Sequence, residues 1–110
     1  MPTQTVQQVS LTGLEASYAA ADAGGDAFLV GAKTFLHVKN GSGGDITVTV
    51  NSQKNCDQGS DHDSVTVVTA GEERFIGPFE DVDRWGDPTT KLAAITYSGV
   101  TSLTIAAVKL

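Results

Sequence analysis

The sequence predicts an all-β fold: an antiparallel β-sandwich, jelly-roll-like or immunoglobulin-like, with about seven or eight short strands and an N-terminal arm. Apolar residues tend to alternate with threonine or polar residues, which is the period of a half-buried strand. Valine and threonine are abundant and leucine is sparse, as strands prefer. Turn segments rich in glycine separate the alternating runs at a spacing of roughly 8 to 14 residues, which suits a two-sheet sandwich or a small barrel.

The length of the chain allows one domain with a real core. It has 110 residues, a mass of 11.4 kDa and 40% hydrophobic residues. A domain of this size buries roughly 65% of the surface of its extended chain. We therefore predict a single β-sandwich domain over residues 12–110, preceded by an N-terminal arm or edge strand at residues 1–11.

Six segments carry the strand pattern clearly enough to be assigned. Four have strong alternation or a β-rich apolar run, two are weaker, and the opening residues 3–11 alternate loosely enough to be a strand or an arm. The four strong strands are predicted at 33–40, 45–51, 64–69 and 102–110, and the two weaker ones at 72–77 and 92–97.

Turn chemistry predicts how these strands are joined. Glycines at 41, 43 and 44, and Gly71 in the Ala70-Gly71 pair, supply backbone freedom for tight turns, so both connections are predicted to close antiparallel hairpins. The short connection at 97–101 predicts that the strand after it is interior rather than a loose tail. Residues 12–32 interrupt the alternation, and we expect a loop with a helical turn that ends at Gly24.

Charge and composition exclude several classes of function. The formal net charge is −6 and the pI is about 4.5, which disfavours binding to nucleic acid and to anionic membranes. The opening residues lack a basic and apolar signal pattern, and no run approaches the ~20 apolar residues of a bilayer span. The sequence thus predicts neither a classical secretion signal nor a membrane span.

The cluster around the only cysteine is predicted to be a solvated loop rather than a metal site. Cys56 has no partner for an internal disulfide, and the neighbouring acids disfavour its thiolate. The spacing matches neither a calcium loop nor a zinc site, so no metal and no cofactor are predicted. The cluster comprises Asn55, Cys56, Asp57, Asp61, His62 and Asp63.

No catalytic constellation is recognisable, and the chain is not predicted to be an enzyme. In the strand at 33–40, period two places Leu36 and Val38 on the core face, and His37 at an interface or on the surface. No nucleophile elbow, phosphate loop or dinucleotide fingerprint occurs. The acidic run at 80–83 is interpreted as a charged loop tip, without the aromatic platforms of a glycosidase cleft.

The lone tryptophan admits two readings. Trp85 follows Arg84 in a polar loop, and it belongs either to a cap over the end of the sandwich or to a contact with another protein. Tryptophan and arginine are both favoured at binding hot spots. The alternatives stay open at the level of sequence.

Three stretches give the chain a resemblance to a known group of proteins. They are TFLHVKN at 34–40, AGEERFIGPF at 70–79 and YSGVTSLTIAAVKL at 97–110. The order of these segments over residues 33–110 resembles the head decoration, or capsid cement, proteins of tailed bacteriophages. None of the stretches is a catalytic signature, so the likeness is one of scaffold.

The resemblance implies a structural virion protein that is made in the host cytoplasm and binds the exterior of the capsid. Its partner would be the phage major capsid protein, whose neighbouring subunits it would tie together. A homo-oligomer is implied, with a trimer favoured. No role for nucleic acid or a membrane is implied.

The residues suggest how such a protein attaches. A segment that adds a strand to a neighbour gives affinity without a deep pocket, and the opening residues are β-prone and uncharged until Glu15. We therefore expect partner contacts from the arm and from the loop that contains the tryptophan. The candidate contact residues are Thr3, Thr5, Val6, Val9, Phe79, Arg84 and Trp85.

The main alternative is another virion role on the same kind of sandwich: a head fibre, a host-attachment module or a carbohydrate-binding module. A carbohydrate-binding module normally carries several aromatic residues on one exposed face. Here Trp85 stands alone, and Tyr18 and Tyr97 lie in separate segments. The sequence pattern therefore favours capsid decoration over glycan binding.

Overall fold

Two packed β-sheets make up the protein. The computed structural model describes residues 2–52, 63–87 and 89–110, which form ten strands and one helical turn. The predicted all-β sandwich is confirmed. In chain order the elements are β1 (Thr3–Gln4), β2 (Val6–Gln8), β3 (Ala19–Ala20), β4 (Asp26–Leu29), β5 (Thr34–Asn40), β6 (Ile46–Val50), β7 (Ser64–Val68), β8 (Glu73–Ile76), α1 (Val82–Trp85), β9 (Leu92–Tyr97) and β10 (Leu103–Lys109).

Each sheet has five strands, and each is mixed rather than purely antiparallel. Sheet 1 has the order β1-β4-β9-β6-β7. Sheet 2 has the order β2-β10-β5-β8, and β3 also pairs with β10. The parallel pairs are β1 with β4 and β2 with β10, so the N-terminal segment supplies an edge strand to both sheets.

The core lies between the sheets and follows the period-two pattern. In β6, Ile46, Val48 and Val50 are buried, while Thr47 and Thr49 between them are half-exposed. In β5, Leu36 and Val38 are fully buried, which confirms the predicted core face of this strand. Removing such a side chain from water contributes roughly 1.5 to 3 kcal/mol, so these alternating positions supply much of the stability.

The six assigned strands are all present, with ends that differ from the predicted ones by at most two residues. The strand at 92–97 is found with the predicted bounds. The prediction that the final strand is interior is also confirmed. β10 pairs with β5 along one edge and with β2 and β3 along the other.

The prediction of a loop with a helical turn over residues 12–32 is wrong. This stretch contains β3 and β4, and β4 is an interior strand of sheet 1 between β1 and β9. Its side chains do not alternate in polarity, because Asp26 is buried together with Phe28 on the inner face. The Gly25 amide donates to the carbonyl of Asp22, and this bond closes a turn directly before β4.

The two predicted hairpins are also wrong, because both connections cross between the sheets. β5 belongs to sheet 2 and β6 to sheet 1, while β7 belongs to sheet 1 and β8 to sheet 2. Asn40 explains the first crossing: its buried side-chain amide donates to the carbonyls of Gly44 and Val68, and its oxygen accepts from Ser42. These bonds turn the chain toward the opposite sheet, although the glycines themselves are those of a hairpin loop.

Candidate partner-binding surfaces

The N-terminal segment is paired within its own chain. Thr3 is the register partner of Ala27 in β4, and Val6 is the partner of Ala107 in β10. The chain passes from one sheet to the other at the exposed Thr5. The amide of Val9 donates to the carbonyl of Lys109, and its side chain is largely exposed.

Two glutamines hold this segment to the rest of the molecule. The Gln4 side-chain amide donates to Asp26 Oδ1 at 3.0 Å. The Gln7 side chain donates to the carbonyl of Ser17 and accepts from its amide, both at 2.8 Å. These side-chain bonds add to the backbone pairing of β1 with β4 and β2 with β10, and Val6 packs against the core.

Asp26 is the centre of a buried polar cluster. Its side chain is 0% exposed, and its Oδ2 accepts a 2.6 Å hydrogen bond from the Tyr97 hydroxyl and a 3.2 Å bond from the Asp22 amide. Burial, together with the hydrogen bond to the Asp26 carboxylate, raises the pKa of the Tyr97 phenol above its ordinary value. The cluster joins β4, β9 and the N-terminal segment, and nothing in the periodicity of the sequence marked it.

The raised pKa of Tyr97 predicts a loss of stability at alkaline pH. Below about pH 10 the Tyr97 phenol is protonated in the folded and the unfolded state, and its contribution to the free energy of unfolding is fully present. Above that pH only the unfolded state ionises, so the free energy of unfolding falls by up to about 1.4 kcal/mol per pH unit. Chemical denaturation at pH values from about 9 to 11 measures this slope, and Tyr97→Phe is expected to make it shallower. Equal slopes in both proteins would contradict the prediction.

The predicted contact residues of the tryptophan loop divide into two buried residues and one exposed residue. Phe79 is 2% exposed and Trp85 is 8% exposed, with their ring centroids 5.1 Å apart. Phe79 also meets Phe28 of the core edge to face. Of the two readings for Trp85, this arrangement fits the cap over the end of the sandwich. Arg84 is exposed and stacks over the indole ring at 4.4 Å, and a partner contact through Phe79, Arg84 and Trp85 stays a prediction.

The outward strand positions of sheet 1 carry no charged side chain, and Asp87 from the loop before β9 lines a pocket with Thr3, Ala27, Leu92 and Ala94 on this side. Register and burial place one threonine, alanine, valine or leucine at each outward strand position of this sheet. We call these residues the sheet 1 face: Thr3, Ala27, Leu29, Thr47, Thr49, Val65, Val67, Leu92, Ala94 and Thr96.

Three apolar side chains of the sheet 1 face project into solvent. Val65 and Val67 on the edge strand β7 are 62% and 51% exposed, and Leu29 is 53% exposed. The molecule as a whole carries a net charge of −6. Strand positions without charge on such a molecule let a partner dock with less repulsion than its acidic surfaces do.

The outer side of sheet 2 carries aromatic residues instead. Phe75 on β8 is 70% exposed and stacks on the His37 ring, with centroids 4.1 Å apart. Phe35 lies 6.0 Å from Phe75 on the same side. The register of β5 and β8 places His37 opposite Phe75. The sequence did not reveal this pairing, because it predicted β8 in a hairpin with β7.

His37 is more buried than predicted. The expectation was an interface or surface position, but its side chain lies beneath Tyr18 and Phe75 and is hydrogen-bonded on both nitrogens. The Tyr18 hydroxyl lies 2.5 Å from Nδ1, and Glu73 Oε1 lies 2.7 Å from Nε2. Because Glu73 accepts, Nε2 donates, and this chain of bonds fastens residue 18 across sheet 2.

A shallow apolar groove adjoins the exposed aromatic ring. It has a volume of about 320 Å³ and lies beside Phe35, Phe75, Pro78 and Leu110. Gly77 forms part of its wall, with a φ of +141°, and a Cβ there would lie 2.9 Å from the Cβ of Phe35.

The predicted loop around the cysteine lies largely outside the described residues. This holds for Asn55, Cys56, Asp57, Asp61 and His62. Asp63 is described, and its Oδ1 accepts a 2.7 Å hydrogen bond from the amide of Ser52. Among the residues that the structure describes, no three histidine, cysteine or acidic side chains are grouped as metal ligands would be, and no helix has the length and apolarity to cross a membrane.

The acidic loop at 80–83 contributes to local structure. Glu80 and Asp81 are exposed, as predicted for a charged loop tip. Asp81 begins the helical turn α1, because its carbonyl accepts from the amides of Arg84 and Trp85. A little further on, the amides of Thr90 and Thr89 donate to Asp87 and hold the pKa of that carboxyl below its ordinary value.

Comparison with known proteins adds no relative from which a function follows. No family model, no curated protein and no solved structure matches the chain. The conclusion that stands at this point is one of fold: the chain is an all-β sandwich of two mixed sheets.

Proposed function

We propose that the protein is a structural virion protein of the decoration, or cement, type, which binds the outer surface of a phage capsid and stabilises contacts between major capsid protein subunits. The observation that carries the proposal is the sheet 1 face, whose ten strand residues are threonine, alanine, valine and leucine, none of them charged, on an acidic molecule. The resemblance of residues 33–110 to decoration proteins supports the same function.

The size of the sheet 1 face suits a contact that is repeated many times. Five strands at about 4.8 Å spacing and about five residues of 3.3 Å each cover roughly 400 Å². This is about half the area that one partner contributes to a standard interface, so a single contact is weak. Repetition over a capsid lattice, or within a homo-oligomer, multiplies weak contacts into strong attachment.

The edge of this surface includes part of the N-terminal segment. Thr3 belongs to the sheet 1 face, and its strand, β1, forms one edge of sheet 1. An edge strand offers main-chain hydrogen bonds to an extended segment of a partner, which gives register as well as affinity. The proposed contact set is the sheet 1 face together with the predicted residues Thr3, Thr5, Val6, Val9, Phe79, Arg84 and Trp85.

The proposal is tested by cosedimentation with capsids of the phage that encodes the protein, assembled without it. Saturable binding at a fixed ratio to the capsid subunit is expected. The double variant Val65→Glu, Val67→Glu adds charge to the sheet 1 face and is expected to weaken binding by about tenfold or more, which corresponds to about 1.4 kcal/mol. Because both side chains already face solvent, the fold is expected to persist in circular dichroism and thermal melting.

The control places a glutamate on the opposite sheet, adding one negative charge where the double variant adds two. Phe75→Glu is exposed and lies outside the sheet 1 face. It is expected to leave capsid binding unchanged. Absence of binding by the unmodified protein, or equal loss in both variants, would contradict capsid docking through sheet 1.

A second candidate is the carbohydrate-binding or host-attachment role, and one observation favours it. The sequence placed the aromatic residues in separate segments, whereas in the fold Tyr18, Phe35, His37 and Phe75 lie together on the outer side of sheet 2. An exposed ring is a platform for the apolar face of a sugar. Binding to a glycan array that is lost in Phe75→Ala, without affinity for capsids, would favour this candidate over decoration.

A further inference from the structure

The N-terminal segment occupies a site on the folded body that requires a strand. We call this site the strand slot: the edges of β4 and β10 that pair with residues 3–8. Gln4 donates to the fully buried Asp26 there, and Val6 covers part of the core. Without a strand in the slot, the buried carboxylate loses a donor and apolar surface is exposed to water.

The segment is joined to the body by an exposed connection. Ser10 and Gly13 form a turn in which the Gly13 amide donates to the Ser10 carbonyl, and Gly13 has a φ of +95°. Leu11 within this turn is fully exposed, and Val9 just before it is 41% exposed. Two apolar residues at a hinge, both facing water, leave the single chain with surface that a second copy can cover.

Charge does not oppose the entry of the N-terminal segment into the strand slot of a second copy. The chain carries a net charge of −6, so two copies repel each other wherever their acidic surfaces meet. Residues 2–14 contain no charged side chain. The segment can therefore enter the slot of another copy without bringing like charges together.

The connection between the N-terminal segment and β3 is long compared with the molecule. Residues 10–17, when extended, span up to about 26 Å at 3.3 Å per residue. The shortest principal extent of the molecule is 20 Å. The extended connection therefore exceeds the shortest dimension of the molecule while residue 18 stays bonded to His37.

We propose that residues 2–9 are exchanged between copies of this chain, so that each copy fills the strand slot of the next. Every copy carries the same segment and the same slot, so the contacts made within one chain are reproduced between chains. The exchange gives the expected homo-oligomer a physical basis. It does not depend on capsid binding, and it is tested without capsids.

The test links the segment to the slot with a disulfide in the full chain. Thr3→Cys and Ala27→Cys, in a Cys56→Ser background, place two thiols at register partners of β1 and β4. A second pair, Gln8→Cys and Lys109→Cys, reports the same exchange at sheet 2. Each protein is oxidised at low concentration, and the number of chains per covalent species is read by intact mass and non-reducing electrophoresis.

The control pair lies wholly within the body. Thr49→Cys and Val65→Cys are register partners in β6 and β7, and they must link within one chain. The proposal requires that the slot pairs yield mainly species of two or more chains while the control pair yields single chains. Single-chain products from the slot pairs would overturn it, and so would multi-chain products from the control pair, since these would show that collision rather than exchange joins the chains.

Discussion

Replacement of Phe28 by alanine is expected to lower the free energy of unfolding by about 3 to 5 kcal/mol, the range for large aromatic residues in a core. Phe28 is fully buried in β4, and its ring meets that of Phe79 at a centroid distance of 5.4 Å. Phe79 in turn packs on Trp85. The cavity left by Phe28 therefore removes support from both the core and the cap at the end of the sandwich.

The measurement is denaturant unfolding followed by tryptophan fluorescence. Trp85 is the only tryptophan, so its emission reports the cap directly. Phe75→Ala provides a matched control, because the same side chain is lost from a site that is 70% exposed. We expect the control to change stability by less than about 1 kcal/mol. Equal losses in the two variants would show that Phe28 does not anchor the core.

Replacement of Asp26 by alanine is expected to cost about 3 kcal/mol. The change removes the acceptor of the Tyr97 hydroxyl and of the Gln4 amide, and each buried polar group left without a partner costs about 1 to 3 kcal/mol. Asp26→Asn retains one side-chain oxygen that can accept from Tyr97, so a smaller loss is expected. The two free energies of unfolding are compared by urea denaturation at neutral pH.

The Asp26 variants also show whether protection is lost first in the N-terminal segment or in the whole sandwich at once. Because Gln4 is released, the N-terminal segment of Asp26→Ala is expected to lose hydrogen-exchange protection at residues 3–8 before the rest of the sandwich. A variant that is as stable as the unmodified protein, with the same protection of this segment, would contradict the assigned role of Asp26.

The parts of the fold that the sequence predicted are those governed by side-chain alternation. Val48 and Val50 face the core because strand side chains alternate, and no knowledge of the partner strands is needed to see this. β4 escaped detection because a buried aspartate breaks the alternation. Its burial depends on Tyr97 and Gln4, which are distant in sequence and are brought together only by the fold.

The strand connections were misjudged for a related reason. Glycines permit a tight turn but do not choose between pairing with the adjacent strand and crossing to the other sheet. Asn40 favours the crossing to the other sheet, because its side-chain amide donates to the carbonyl of Val68. The two residues are 28 positions apart, so local turn chemistry does not include this contact. The sheet 1 face and the aromatic cluster of sheet 2 were likewise hidden, because each is assembled from strands whose order in the sheet differs from their order in the chain.

The position of β10 at the centre of sheet 2 governs when that sheet can form during synthesis. β2, β3 and β5 all pair with residues 103–109, which leave the ribosome after every one of them. Until then β5 has only β8 as a neighbour in its sheet, and β2 has no neighbour there. β2 and β3 therefore stay unpaired until the last strand emerges, and sheet 2 is completed late, whereas every strand of sheet 1 finds its partners within residues 3–97.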